Sequence, residues 1–290
     1  MTPFLQKQHS TGGIAFHRSG KQHSDLTLVL IHGVGLRAES WYPQISELQN
    51  SFDLLAPDLP GHGDSLDLAA GFEYVTLQHY TESLLAFIEE TTQKPLILCG
   101  HSLGALICVE LAAKLKGQIN GLIALNTVFD RTPDARAAVR ERAATQYAAD
   151  SIIGIEQTLE RWFGRTPDSR NKVLADQCEH WLRDNSVEGY AKAYKAFADQ
   201  TGVSRPTLQQ IDCPCVFMTG ALDPNSTSAM SEELARTMNE ASPLPVFPAR
   251  SRIIDDAGHM LPLSHADEVV DELKMLVHTI SAVPMNEASA

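Results

Sequence analysis

Two rhythms of apolar and polar residues alternate along the first part of the chain. Short apolar runs have the length of buried strands: Leu26-Thr27-Leu28-Val29-Leu30-Ile31, Phe52-Asp53-Leu54-Leu55-Ala56, Pro95-Leu96-Ile97-Leu98-Cys99 and Gly121-Leu122-Ile123-Ala124-Leu125. Between them lie stretches with helical spacing. One runs from Trp41 to Leu48, and another from Thr76 to Glu90, where Leu77, Tyr80, Leu84, Phe87 and Ile88 share a face. Strands alternating with helices predict a largely parallel sheet covered on both faces.

The rhythm changes at about Asp130. From there to Pro206 no strand is legible, and amphipathic Ala-, Arg- and Glu-rich segments are broken at Gly154, at Gly164-Arg165-Thr166-Pro167 and at Gly189. Strand character returns at Cys215–Thr219 and Ser251-Arg252-Ile253-Ile254, and a last amphipathic helix covers Glu268–Leu276. A helical insertion between two strands of one sheet reads as a lid. The expected organisation is therefore a core over residues 1–129, a helical cap over 130–206 and the rest of the core over 207–290, with a loose tail at Asn286–Ala290.

The chemistry concentrates at Leu98-Cys99-Gly100-His101-Ser102-Leu103-Gly104. An apolar strand ends there, and Ala105 to Leu115 reads as a helix. A serine at the apex, with glycines two residues to either side, is a nucleophile elbow. Its tight turn strains the serine backbone, and side chains at Gly100 or Gly104 would collide with neighbouring backbone. A serine hydroxyl is a weak nucleophile and needs a base, and the base needs an acid to fix its tautomer. Two later segments supply them in the order nucleophile, acid, histidine: Val216-Phe217-Met218-Thr219-Gly220-Ala221-Leu222-Asp223 brings Asp223 past a strand, and Asp255-Asp256-Ala257-Gly258-His259 brings His259 on a loop. Singly, each is as well explained as a turn aspartate and a loop histidine. The two oxyanion donors are expected to be the N–H groups of Leu103, at the start of the elbow helix, and of Val34, in the loop His32-Gly33-Val34-Gly35.

The other histidines weigh less. His101 is expected to pack, His32 to support the Val34 loop, His62 to sit in a structured turn, and His265 to lie at the start of the last helix, on the surface or behind the site.

Charge and cysteine use narrow the setting. A net charge of −13 argues against nucleic acid as a partner. The start Met1-Thr2-Pro3-Phe4-Leu5-Gln6-Lys7-Gln8 lacks a secretory pattern, and no apolar run approaches membrane-spanning length. Five cysteines without framework spacing fit a reduced, cytoplasmic setting. Cys213-Pro214-Cys215 opens an apolar run and reads as core strand rather than a metal pair. No cofactor or metal is expected, and the assembly is expected to be a monomer or homodimer.

Five segments together, His32-Gly33-Val34-Gly35, Asp58-Leu59-Pro60-Gly61-His62-Gly63-Asp64-Ser65, Gly100-His101-Ser102-Leu103-Gly104, Gly220-Ala221-Leu222-Asp223 and Gly258-His259, resemble the α/β-hydrolase superfamily. Within it the chain is most similar to the single-cap branch of 3-oxoadipate enol-lactonases, small-ester carboxylesterases and meta-cleavage-product C–C hydrolases. The resemblance implies an α/β fold with a mostly parallel eight-stranded sheet and a helical cap between strands six and seven. Ser102 separates the chain from haloalkane dehalogenases and epoxide hydrolases, which carry aspartate at the elbow. Some relatives place the acid after strand six, where this chain has Asn126 and then Asp130, with Asp223 preferred here. Leu36-Arg37-Ala38-Glu39-Ser40-Trp41 lacks the asparagine usual in the C–C hydrolases.

The expected activity is hydrolysis of a small carboxylic ester or lactone through an acyl-enzyme. C–C cleavage of a dienoic diketone, acyl transfer with the same triad, and a ligand sensor that barely turns over are the alternatives. Among the cap aromatics Trp162, Phe163, Trp181, Tyr190, Tyr194 and Phe197, Trp162 and Tyr190 are taken as candidate substrate contacts. Arginines at 37, 131, 136, 140, 142, 161 and 165 suit a carboxylate-bearing substrate, and Arg37 is the first candidate because it follows the Val34 loop.

Overall fold

The computed structural model describes residues 7–68, 74–241 and 248–282; the expected loose tail at Asn286–Ala290 lies outside them. In chain order the elements are β1 (Gln8–His9), β2 (Ala15–Gly20), β3 (Thr27–Ile31), a 3₁₀ turn (Ala38–Trp41), α1 (Tyr42–Leu48), β4 (Asp53–Pro57), α2 (Leu77–Thr91), β5 (Leu96–His101), α3 (Leu103–Lys114) and β6 (Ile119–Leu125). Then follow α4 (Pro133–Tyr147), α5 (Ile155–Phe163), α6 (Ser169–Asp184), α7 (Val187–Ala198), α8 (Arg205–Leu208), β7 (Cys215–Gly220), α9 (Ser228–Ala241), β8 (Arg250–Ile254), α10 (Leu261–Ser264) and α11 (Ala266–Ser281).

The eight strands form one sheet in the order β1-β2-β4-β3-β5-β6-β7-β8. From β4 to β8 every pairing is parallel, whereas β1 and β2 run antiparallel, so the sheet is mixed. The pleat sorts side chains between two cores. Leu28, Leu30, Ile97 and Cys99 face α1 and α11, and Val29, Ile31, Leu96 and Leu98 face α2 and α3. Each fully buried aliphatic side chain contributes about 1.5–3 kcal/mol. Cys213 and Cys215 are both buried, with Cys215 opening β7 as core.

Residues 133–208 hold the helices α4 to α8 and their connections and lie between β6 and β7. Local signals delimit these helices. Thr132 caps α4 with Pro133 in its first turn, Gly154 and Gly164 flank α5 at positive φ, and Asp168 caps α6. The break expected at Gly189 falls elsewhere. Ser186 accepts the Gly189 N–H at 3.1 Å and starts α7, so Gly189 lies inside the helix. Its lack of a side chain serves packing: a Cβ there would land on the backbone of Gly61, in the loop after β4. A third apolar cluster, with Leu36, Trp162, Trp181, Leu182, Tyr190 and Met260, joins the insertion to the core loops.

Candidate active site

The carboxyl ends of β3, β5, β6, β7 and β8 meet beneath the insertion. At the end of β5 Ser102 has φ 55° and ψ −114°, a conformation sparsely populated by non-glycine residues. Two constraints hold it there. The Ser102 N–H donates to the Leu125 carbonyl at 2.9 Å, and Gly104 brings α3 so close to β3 that a Cβ would overlap the carbonyls of Ile31 and His32. A Cβ on Gly100 would likewise strike Gly104 and Ala105 backbone.

Asp223 and His259 are delivered by loops that are stitched together. Ala221 N–H donates to the Ile254 carbonyl and Leu222 N–H to the Ala257 carbonyl, each at 2.9 Å. His259 Nδ1 thereby reaches Asp223 Oδ2 at 2.7 Å, in a site where both residues are buried. Burial alone would raise the Asp223 pKa. The His259 charge, the His259 hydrogen bond, the Asn225 N–H and the Asn126 amide outweigh it and hold the carboxyl below its ordinary value. With Nδ1 engaged as the donor, Nε2 is the ring nitrogen left to act as base.

Ser102 and His259 line one cavity, together with Gly33, Val34, His101, Trp162, Tyr190 and residues of α4 and α7. Val34 lies at its wall. Leu103 is buried at the start of α3, where the first N–H groups of a helix have no acceptor within it. Among the described residues neither the Val34 nor the Leu103 N–H is taken by an acceptor. Trp162 stacks near the base, its ring 6.4 Å from that of His259 at 25°.

Arg37 corrects the sequence expectation. It is not in the cavity wall; its Nη2 pairs with Asp184 at the end of α6, 3.6 Å away. The backbone is extended at Arg37 and turns at once into the 3₁₀ helix, which carries the side chain towards the insertion's outer helix. The arginines that do line the cavity are Arg142 from α4 and Arg161 from α5. Trp162, Tyr190, Tyr194 and Phe197 line it too, whereas Trp181 and Phe163 do not.

Sequence reasoning passed over the part that Asn126 plays. Asn126 takes φ 52° at the end of β6 and donates from Nδ2 to Asp223 Oδ2 at 2.8 Å, the same oxygen that His259 reaches. Its place after strand six, flagged as an alternative seat for the acid, was the available signal. Asp130 is exposed and lies 3.9 Å from Arg205, so it takes no part. His101 is buried, and its Nε2–H donates to the His259 carbonyl at 2.8 Å, which ties the elbow to the His259 loop. Burial drives its pKa to about 3, so the ring is neutral. His32 is neutral for the same reason and bridges two loops, donating to the Gly33 carbonyl and accepting the Leu59 N–H, each at 2.8 Å. His265 stands at the start of α11 and holds Asp256 at 3.2 Å. Among the described residues no helix is long and apolar enough to cross a membrane, and no cluster of three or more His, Cys, Asp or Glu could hold a metal.

A family model described as the alpha/beta hydrolase family matches residues 28–272. The chain is 32% identical to the (E)-2-((N-methylformamido)methylene)succinate hydrolase of Acinetobacter baylyi over 252 residues, 87% of this chain and 90% of that protein. It is 27% identical to 3-oxoadipate enol-lactonase 1 of the same organism over 201 residues, covering 69% and 72% of the two chains. Among solved structures, a thermophilic esterase from Thermogutta terrifontis with malate bound superposes with a TM-score of 0.79 at 22% identity, covering 95% of this chain and 99% of that one. A strained serine between strand and helix, a sheet parallel over its central strands and a match over most of the sequence lead to one conclusion: the chain belongs to the alpha/beta hydrolase family and is a hydrolase.

Proposed function

We propose that the protein hydrolyses small carboxylic esters or lactones that carry a carboxylate, with Ser102 as nucleophile, His259 as general base and acid, and Asp223 as the residue that orients His259. Ser102 Oγ attacks the scissile carbonyl while its proton passes to His259 Nε2. The N–H groups of Val34 and Leu103 stabilise the resulting oxyanion. Collapse breaks the bond to the leaving oxygen, which takes the proton from His259. Water then attacks the acyl-enzyme, gives its proton to the same nitrogen, and the acid product leaves as Ser102 recovers its hydrogen. Each oxyanion donor is worth about 2.7–4 kcal/mol in the transition state.

The observation that carries these roles is the 2.7 Å Asp223–His259 bond beside a serine held at φ 55° in the same cavity wall. Residues 130–206 act as the cap, since α4, α5 and α7 all contribute to that wall. The carboxylate follows from Arg142 and Arg161. Both are partly buried, and among the described residues neither has an acidic partner within ion-pair distance. Burial, together with the neighbouring Arg142, holds the Arg161 pKa below its ordinary value. Unpaired buried charge is costly, and a substrate carboxylate would offset that cost. The relative from Acinetobacter baylyi named for a substituted succinate supports the same choice.

Ser102→Ala is expected to lower turnover of p-nitrophenyl acetate by several orders of magnitude while the melting curve stays near that of the parent. Ordinary turnover in that variant removes the assignment. Arg161→Leu is expected to raise KM for monomethyl glutarate at least tenfold more than for methyl butyrate.

A further inference from the structure

The cavity at Ser102 has a neighbour. The inner space is about 50 Å³, while a second chamber of about 350 Å³ lies between α4 and α5. Arg142, Thr158, Arg161, Tyr190 and Tyr194 are in the walls of both and form the partition between them. Small-molecule sites usually run from roughly 300 to 1,000 Å³. The inner space alone is below that range, and joined to its neighbour it is inside it.

The partition is made of donors with capacity to spare. Arg142 Nε donates to the Tyr194 hydroxyl at 3.2 Å, and Arg161 Nη2 donates to Thr158 Oγ1 at 2.7 Å. A guanidinium has five N–H groups, so both keep donors for a ligand. Beyond the partition the outer wall is formed by Glu141, Thr145, Gln146, Ile153, Gly154 and Gln157. Gln146 is already committed, donating to the Ser151 carbonyl at 2.9 Å and accepting the Ile153 N–H at 3.0 Å, so it fixes the loop that borders the chamber, which is open to solvent on its outer side. Gln157 is exposed on α5, and Ile153 is the one aliphatic side chain longer than a methyl among those six. Such a wall suits hydrogen-bonding groups better than hydrocarbon.

We propose that the chamber between α4 and α5 is a second substrate subsite. The scissile carbonyl sits at Ser102, a carboxylate sits between Arg142 and Arg161, and an uncharged hydrogen-bonding tail, an amide or hydroxyl, continues past it into the outer chamber. The proposal rests on the serine-hydrolase assignment and adds to it that the preferred substrate is polar beyond its carboxylate. Fatty acyl esters are correspondingly poor substrates.

Three esters with the same scissile bond test it: monomethyl glutarate, the γ-methyl ester of N-acetylglutamate, and 2-propylglutarate esterified at the distal carboxyl. The acetamido tail is expected to raise kcat/KM at least tenfold over monomethyl glutarate, and the propyl tail to give no such gain. Ile153→Trp, which fills the outer chamber from an exposed position, is expected to remove most of the acetamido advantage; Gln157→Trp is the second route to the same filling. An acetamido tail without advantage, or an advantage that survives both variants in folded protein, overturns the subsite. If no ester turns over, calorimetric affinities of free N-acetylglutamate and glutarate replace the rates, and equal affinities overturn it. Ordinary turnover in Ser102→Ala would instead defeat the assignment of the nucleophile, whichever way the tail comparison falls.

Discussion

Asn126→Gly removes the amide that bonds Asp223, the proposed acid of the site. Glycine tolerates the φ of 52° at this position, so the change removes the side chain without adding backbone strain. The structure loses the 2.8 Å bond from Nδ2 to Asp223 Oδ2 and a 3.2 Å bond to Thr219 Oγ1. A hydrogen bond to a charged group contributes about 1.5–3 kcal/mol, and a neutral one about 0.5–1.5 kcal/mol. Asp223 keeps the Asn225 N–H at 2.8 Å and the His259 bond, so the loss is partial, and about 2–4 kcal/mol of stability at pH 7 is expected to go. The pH dependence has a definite sign. The Asp223 pKa is depressed in the folded protein, so its contribution is present above the unfolded value and is lost as pH falls through the folded one. The deficit of the variant should therefore be largest near neutrality and shrink as pH falls through the depressed folded-state value, since the unfolded carboxyl is common to both proteins. Urea unfolding at pH 7 and pH 3 reads the effect. Equal deficits at the two pH values would show that Asn126 does not tune Asp223.

Other consequences are separable from catalysis. Glu272 is fully buried and bonded to both Arg250 and Arg252, which keep contact with water, so Glu272→Gln is expected to cost roughly 1.5–3 kcal/mol in urea unfolding, the worth of a charge-assisted hydrogen bond. Burial holds the His62 pKa down to about 4, so as pH falls below 6.5 the unfolded chain takes up a proton that the folded one refuses. Stability should drop by roughly 3 kcal/mol across that window through this one group, and His62→Gln should flatten that part of the curve. Gly189→Ala places a methyl on the Gly61 backbone and is expected to cost about 1–3 kcal/mol and raise KM; a wild-type melting curve would contradict the contact.

The sequence made the sheet legible from β3 onward because parallel strands buried on both faces read as continuous apolar runs. β1 and β2 escaped it. Ala15–Gly20 carries His17, Arg18 and Ser19, and as an antiparallel strand next to the edge it needs no apolar run. The proposed roles of Ser102, Asp223 and His259 rest on a pattern open to sequence reading, since each follows a strand end with glycine nearby. Arg37 was misplaced because nearness in sequence to Val34 says nothing about where a side chain points after a turn. Arg142 and Arg161 lie in helices whose roof position is set by tertiary packing, so periodicity could not rank them above Arg136 or Arg165. Gly189 looked like a helix breaker because glycine disfavours helices, but the cost is only about 1 kcal/mol, an amount packing against Gly61 overrides.

At Gly61 and Gly189 main chain rests directly on main chain, and no rotamer lies between roof and floor. Registry at that seat is independent of which side chains decorate the inner surfaces of the helices around it. The lining can therefore drift or be redesigned towards new molecules while the bond-breaking floor keeps its alignment, so long as those two positions stay bare.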